Sequence, residues 1–162
     1  MKKVLTGSTV RQDPRILEYF LDSLRDLQVS GFIVDYIFVD DNDDPAASRL
    51  LQTFRPLGSK VTVVRTGNSR TPYIQDDSYH HWNEELVWRV ARYKNTIINH
   101  CKKEKYDYLL LVDSDLVLHP KTLLHLIRTG KEIVSEIFWT KWRPEAIEMP
   151  QVWLSDQYTI YR

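Results

Sequence analysis

The sequence predicts an α/β protein in which a mostly parallel central sheet carries helices on both faces. Short apolar runs typical of buried strands alternate with segments whose apolar residues recur at helical spacing. Three of the strand-like runs end in polar loops, and in open parallel sheets ligands bind beyond the carboxyl ends of the strands. The 162 residues suit one domain, and we expect a single domain over residues 1–162.

The first third of the chain predicts a strand, a loop and a helix. Residues 3–6 are typical of a short strand, and residues 7–12 of a polar loop. Asp13 and Pro14 then predict a helix start, because aspartate caps a helix and proline fits its first turn. Leucine and phenylalanine follow at helical spacing, and Gly31 is a plausible end of this segment.

The next segments predict two further strands around a second helix. Residues 36–39, with the sequence YIFV, form an apolar run that ends in the acidic loop DDNDDP. Residues 46–54 favour a helix, and residues 60–64, with the sequence KVTVV, favour a third strand. Residues 66–83 are polar and lack periodicity, as functional loops often do.

The second half begins with a long helix from about residue 84 and leads into the strongest strand signal. The helix has an inward apolar stripe of Val87, Val90, Ala91, Ile97, Ile98 and Cys101. Residues 108–112, with the sequence YLLLV, predict a buried strand that ends in the triplet DSD. Residues 119–129 favour another helix, and residues 132–139 favour a strand.

Charge and cysteine content narrow the class of partner and the compartment. The 22 basic and 22 acidic side chains cancel, whereas proteins that bind a nucleic-acid backbone usually carry a basic excess. We therefore expect no nucleic-acid partner. Cys101 is the single cysteine, which fits a reducing compartment, and no apolar run is long enough for a signal peptide or a membrane span. These features predict a cytoplasmic protein without a membrane segment.

Asp113 and Asp115 are the best candidates for metal ligands. With one residue between them at the end of a strand, both carboxylates can reach one cation, directly or through water. Hard oxygen ligands suit Mg²⁺ or Mn²⁺, which keep waters and take phosphate oxygens as further ligands. The alternative is that the two acids only cap the following loop or helix.

Other polar residues near the same edge are candidates for binding a nucleotide. Asp41, at the end of the second strand, can accept a hydrogen bond from a base, or can belong to a solvated turn. Arg92, Lys94 and Asn95, near the start of the long helix, can neutralise a diphosphate, or can form an ordinary charged helix face.

Four motifs in order give a resemblance to a known family. The segments VLTGSTVRQDPRILEYFLDSL, YIFVDDND, ARYKNTIINHC and YDYLLLVDSDLVLHP resemble family 2 glycosyltransferases of the GT-A fold, over roughly residues 3–130. The resemblance implies a Rossmann-like three-layer sandwich. It also implies binding of a UDP- or GDP-sugar with Mn²⁺ or Mg²⁺, and transfer of the sugar, with inversion, to a carbohydrate, lipid or protein hydroxyl.

Site residues follow from the positions that match the family motifs. Asp115 matches the usual direct metal ligand, and Asp113 matches the acid that faces the ribose or sugar. The candidate nucleotide-binding residues are Thr9, Arg11, Asp41, Arg92, Lys94, Asn95, Asp113 and Ser114. The metal would stabilise the departing diphosphate as a Lewis acid.

The acceptor half of such an enzyme is expected to be incomplete here. In the family the acceptor site and the inverting base lie downstream of the DxD strand, and only residues 116–162 follow it in this sequence. No acid there lies in a base motif, so the catalytic base stays unassigned, with Asp156 as a weak candidate. Two other functions stay open: a non-catalytic nucleotide-binding module, and a haloacid-dehalogenase-type phosphotransferase with Asp113 as nucleophile.

Overall fold

A computed structural model describes residues 1–67, 84–137, 139–141 and 145–150 of the chain. The chain divides into two compact units, Met1–Leu124 and His125–Arg162. Within the described residues, no helix has both the length and the apolar character needed to cross a membrane.

A four-stranded parallel sheet forms the centre of the first unit. Its strands are β1 (Lys2–Val10), β2 (Phe32–Asp40), β3 (Val61–Arg65) and β4 (Tyr108–Leu111). The order in space is β3-β2-β1-β4, and every neighbouring pair is parallel. After β3 the chain returns to the far side of β1, so the strand order reverses between β1 and β4. In open α/β sheets, ligands bind outside the carboxyl ends at such a reversal.

The helices lie on both faces of this sheet. They are α1 (Pro14–Arg25), α2 (Pro45–Thr53) and α3 (Glu84–Lys103). The chain also forms a short helix, α4 (Thr122–Arg128). As the sequence predicts, the Asp13 carboxylate caps α1 by accepting a hydrogen bond from Arg15 N at 2.8 Å, with Pro14 in the first turn. The predicted fold class, a parallel sheet with helices on both faces, is confirmed.

Aromatic side chains join β2 to α1 and α2. The ring of Phe54 packs edge-on against Tyr36 and Phe38, with centroid distances of 5.2 and 5.5 Å. The Tyr36 hydroxyl donates to the carbonyl of Leu24 in α1 at 3.2 Å. Burial is the main reason that the pKa of Tyr36 is raised to about 12.

On the opposite face, α3 packs closely against β1. Ile97 and Cys101 of α3 share a buried cluster with Leu5, Ile37 and Val39. A Cβ atom at Gly7 would lie 2.3 Å from Ile97 Cγ2. Glycine at position 7 therefore permits the close approach of the helix to the central strand.

Three local predictions differ from the structure. β1 extends to Val10, so residues 7–10 continue the strand where the sequence predicts a loop. The small polar side chains of this segment hide its strand character, and pairing with β2 along its whole length provides it. In α3, Leu86 and Arg89 are buried, whereas Val87, predicted to point inward, is 48% exposed.

The third difference concerns the predicted strand at residues 132–139. Residues 131–137 form no strand, and a two-residue strand, β5 (Trp139–Thr140), pairs with β6 (Met149–Pro150) in antiparallel fashion. Apolar composition alone does not make a strand, because a strand also needs a hydrogen-bonding partner beside it.

Candidate functional site

The segments that follow β1, β2 and β4 meet at the carboxyl edge of the sheet, as the sequence analysis anticipated. Backbone hydrogen bonds hold them side by side. Asp41 N donates to Val10 O at 2.9 Å, and Val112 N donates to Gly7 O at 3.1 Å. The acidic loop after β2 and the DSD segment after β4 therefore flank the end of the central strand.

Asp41 accepts hydrogen bonds from two distant parts of the chain at this edge. Its Oδ1 accepts hydrogen bonds from Thr66 Oγ1 at 2.6 Å and from the Tyr93 hydroxyl at 2.9 Å. Its Oδ2 lies 3.9 Å from Arg11 Nη1, and the Asp41 side chain is only 12% exposed. Burial, and then the hydrogen bond to Asp41, raise the pKa of Tyr93, so this phenol stays protonated at neutral pH.

Arg11 joins the loops after β1 and β2. Its guanidinium forms a short ion pair with Asp43 in addition to its longer contact with Asp41. The neighbouring backbone adds a second link, because Gln12 N donates to Asn42 Oδ1 at 2.8 Å. A cation and an acid predicted to bind a nucleotide therefore lie beside each other.

Asp40, the residue before Asp41, has a structural role. Its side chain is buried, and its Oδ1 accepts hydrogen bonds from the Asn42 side chain at 2.7 Å and from Ser48 Oγ at 3.0 Å. Arg65 Nε lies 3.7 Å from its Oδ2. These contacts fix the start of the acidic loop and of α2.

The DSD segment presents two exposed acids around a buried serine. Asp113 is 64% exposed, and its Oδ1 lies 3.2 Å from Nζ of Lys94 on α3. Asp115 is also exposed, whereas Ser114 is buried. The structure thus brings together Lys94 and Asp113, two of the residues that the sequence predicts to bind the nucleotide.

The other predicted site residues take less connected positions. Thr9 is half-buried near the end of β1, opposite Val39 of β2. Arg92 and Asn95 are exposed on α3, and in the described part of the chain their side chains make no contact with Asp41 or Asp113. Asp156, the candidate base, lies outside the described residues.

Sequence reasoning missed Thr66, Tyr93 and Arg89. Tyr93 lies four residues before the buried Ile97, and Arg89 lies four residues before Tyr93. Helical spacing therefore places Arg89, Tyr93 and Ile97 on one side of α3. Arg89 is buried and forms an ion pair with Glu85 at 3.7 Å. The buried side of α3 was predicted from its apolar residues alone. Including polar residues at the same helical spacing would have identified Tyr93 and Arg89. Thr66, in a loop, has no such signal.

The carboxylates at this edge form an incomplete metal site by themselves. Within the described residues, no group of three or more His, Cys, Asp or Glu side chains is arranged to hold a metal ion. Asp113 and Asp115 provide hard oxygen donors that are open to solvent. This set fits Mg²⁺ or Mn²⁺, because these ions keep waters and complete their shell with phosphate oxygens.

The chain is an α/β protein with charged side chains at the carboxyl edge of a parallel sheet, where the strand order reverses. Residues 1–142 match the family model described as "Glycosyltransferase family 25, N-terminal domain". The chain therefore belongs to glycosyltransferase family 25, as its N-terminal domain. The glycosyltransferase resemblance is confirmed, and the family number is 25 where the motifs suggested 2.

A curated relative has the same family name. A "Glycosyltransferase 25 family member" of Aedes aegypti is 26% identical over 137 residues, which cover 82% of this chain and 23% of that protein. The chain thus spans about a quarter of the length of the relative. This family assignment disfavours the phosphotransferase alternative.

Two solved structures are similar to the chain at lower identity. The crystal structure of S. aureus TarS is 18% identical and has a TM-score of 0.47, with 79% of this chain and 32% of that chain covered. The crystal structure of the same protein in complex with UDP-GlcNAc is 19% identical, also with a TM-score of 0.47, and 30% of that chain is covered.

Proposed function

We propose that the chain forms the donor site of a glycosyltransferase that binds a UDP- or GDP-sugar together with Mn²⁺ or Mg²⁺. One observation carries this proposal. In a chain of glycosyltransferase family 25, the pairs Arg11–Asp41 and Lys94–Asp113 lie at the carboxyl edge where the strand order reverses. Acids and cations together suit a ligand that has both N–H donors and phosphates.

Each pair suits a different part of the donor. Asp41 accepts a hydrogen bond from an N–H group of the base, because its Oδ2 has no donor within hydrogen-bond distance among the described residues. Lys94 neutralises the diphosphate. Asp113 and Asp115 hold the divalent ion. When bound, that ion acts as a Lewis acid toward the diphosphate leaving group.

The transfer step completes the proposal. An acceptor hydroxyl attacks the anomeric carbon, the bond from that carbon to the diphosphate oxygen breaks with inversion, and a base takes the hydroxyl proton. Asp156 stays the candidate for this base. The acceptor, and a cytoplasmic location, stay predictions from the sequence.

The Asp115→Ala variant tests the donor site. Thermal unfolding of the 162-residue chain is followed with UDP or GDP, each with and without Mn²⁺. We expect one nucleotide to raise the unfolding temperature in a metal-dependent manner, since a ligand at 100 times its Kd stabilises by about 2.7 kcal/mol. Because Asp115 is exposed, the Asp115→Ala variant should fold normally and lose this rise.

A matched acid at the opposite end of β4 provides the control. Glu104 is exposed and lies before β4, so Glu104→Ala should keep the full stabilisation by nucleotide and metal. Equal stabilisation of the Asp115→Ala and Glu104→Ala variants would contradict the assignment of the metal site. Turnover of a sugar nucleotide, measured in parallel, separates an enzyme from a binding module.

A further inference from the structure

The carboxylate of Asp41 is held on one side only. Both hydroxyl donors, Thr66 Oγ1 at 2.6 Å and the Tyr93 hydroxyl at 2.9 Å, bind the same oxygen, Oδ1. The other oxygen, Oδ2, has Arg11 Nη1 at 3.9 Å, which is beyond hydrogen-bond distance. The two oxygens of one acid therefore have different surroundings.

This asymmetry fixes the orientation of the side chain. A carboxylate oxygen can accept two hydrogen bonds, and two donors from different elements prevent rotation of the carboxylate plane. Thr66 follows β3, and Tyr93 lies on α3. Their two hydrogen bonds to Asp41 therefore connect the loop after β2 to the end of β3 and to α3. Oδ2 then keeps its lone pairs in one fixed direction.

The two donors keep their function over the neutral pH range. The Thr66 hydroxyl does not ionise, and the raised pKa of Tyr93 keeps its phenol protonated. Each hydroxyl has one proton to donate. Thr66 Oγ1 also lies 3.1 Å from the Asp40 carbonyl oxygen, but its nearer acceptor is Asp41 Oδ1 at 2.6 Å. Because both hydroxyls contact Oδ1, Oδ2 is the oxygen that stays open to a ligand N–H.

We propose that Tyr93 and Thr66 are positioning residues, which hold Asp41 so that its Oδ2 accepts a hydrogen bond from the nucleotide base. This role rests on the proposed function, because it needs a base at Asp41. Neither residue touches the ligand in this account. Their effect on binding acts entirely through the orientation of Asp41.

The Tyr93→Phe and Thr66→Val variants test this role, with binding of UDP in the presence of Mn²⁺ measured by calorimetry. Each removes one hydroxyl and keeps the shape of the side chain. We expect UDP to bind about three- to tenfold more weakly, which is the effect of losing one ordinary hydrogen bond. Thr66→Ser keeps a hydroxyl and should bind UDP as the wild type does.

Tyr106 supplies a matched control. Its hydroxyl donates to the carboxylate of Asp35 at 2.9 Å. This is also a hydrogen bond from a tyrosine to an aspartate, but it does not lie at the carboxyl edge of the sheet. Tyr106→Phe should leave the affinity for UDP unchanged. A loss of affinity in Tyr106→Phe equal to that in Tyr93→Phe would show a general structural effect and overturn the positioning role.

Two further measurements separate orientation of Asp41 from other effects. Pyrophosphate with Mn²⁺ lacks a base, so its affinity should be the same in the wild type and in Tyr93→Phe. In the Asp41→Asn background, adding Tyr93→Phe should change the affinity for UDP by less than about twofold, because coupled residues are not additive. Full additivity of the two substitutions would overturn the proposal.

The outcomes distinguish this inference from the proposed function. If the wild-type chain binds neither UDP nor GDP with Mn²⁺, the proposed function itself fails. If UDP binds and Asp41→Asn weakens it, but Tyr93→Phe and Thr66→Val do not, only the positioning role fails.

Discussion

The adjacent acids Asp40 and Asp41, at the end of β2, differ in role because strand geometry directs their side chains differently. Side chains alternate between the two faces along a strand, so Asp40 and Asp41 point in different directions. Asp40 is buried and holds Asn42 and Ser48, whereas Asp41 accepts hydrogen bonds from Thr66 and Tyr93. The sequence shows only a cluster of aspartates. Which acid is structural depends on partners that are distant in the chain.

Lys94 allows a prediction at the scale of one residue. Its ion pair with Asp113 is partly exposed, with 40% of Lys94 and 64% of Asp113 accessible. Such pairs contribute little to stability, so Lys94→Gln should change the free energy of unfolding by about 0.5 kcal/mol or less. The affinity for UDP with Mn²⁺ should fall several-fold in calorimetry, because the diphosphate loses its counter-charge.

Lys102 provides the comparison for this substitution. It is exposed in the last turn of α3, and Lys102→Gln removes the same charge without touching the carboxyl edge. Its affinity for UDP should equal that of the wild type. If Lys94→Gln also bound UDP with unchanged affinity, Lys94 would have no part in neutralising the diphosphate.

At the scale of elements, the packing of α3 on β1 depends on Gly7. Gly7→Ala places a methyl group 2.3 Å from Ile97 Cγ2, so the helix or the strand has to shift. Overpacking of this kind should lower the free energy of unfolding by about 1–3 kcal/mol, measured by urea denaturation. Gly67, with open space around its Cβ position, provides the control, and Gly67→Ala should stay within about 0.5 kcal/mol of the wild type.

A substitution at Ile97 tests whether its contact with position 7 causes the loss of stability in Gly7→Ala. Ile97→Ala alone should destabilise the chain by about 2–5 kcal/mol, because it empties a buried site. Combined with Gly7→Ala, the total should be smaller than the sum, because the added methyl then has space. Wild-type stability of Gly7→Ala would show that the close approach does not restrict position 7.

The elements with a strong local signal were predictable from sequence. The cap at Asp13, the start of α3 at Glu84 and the start of β4 at Tyr108 all agree with the structure. The second half of β1 was not predictable, because Ser8 and Thr9 have no apolar pattern and their pairing with β2 creates the strand. The reverse applies within the predicted strand at residues 132–139, because residues 132–137 include apolar side chains and form no strand.

At the scale of the whole molecule, the meeting of the strand ends was predictable from topology, and the contacts around Asp41 were not. Strand ends in a parallel sheet meet at one edge, which is enough to place the segments after β2 and β4 beside the end of β1. The order β3-β2-β1-β4 supplies the reversal that the sequence could only assume. Thr66 and Tyr93 depend on contacts between distant parts of the chain, which no local pattern encodes.

A crystal structure of the chain with Mn²⁺ and UDP tests the central claim most directly. We expect a metal ion bound directly to a carboxylate oxygen of Asp115. We also expect the pyrophosphate beside Lys94 and the base within hydrogen-bond distance of Asp41 Oδ2. An ion and a nucleotide bound elsewhere, with Asp113 still paired to Lys94, would contradict the central claim.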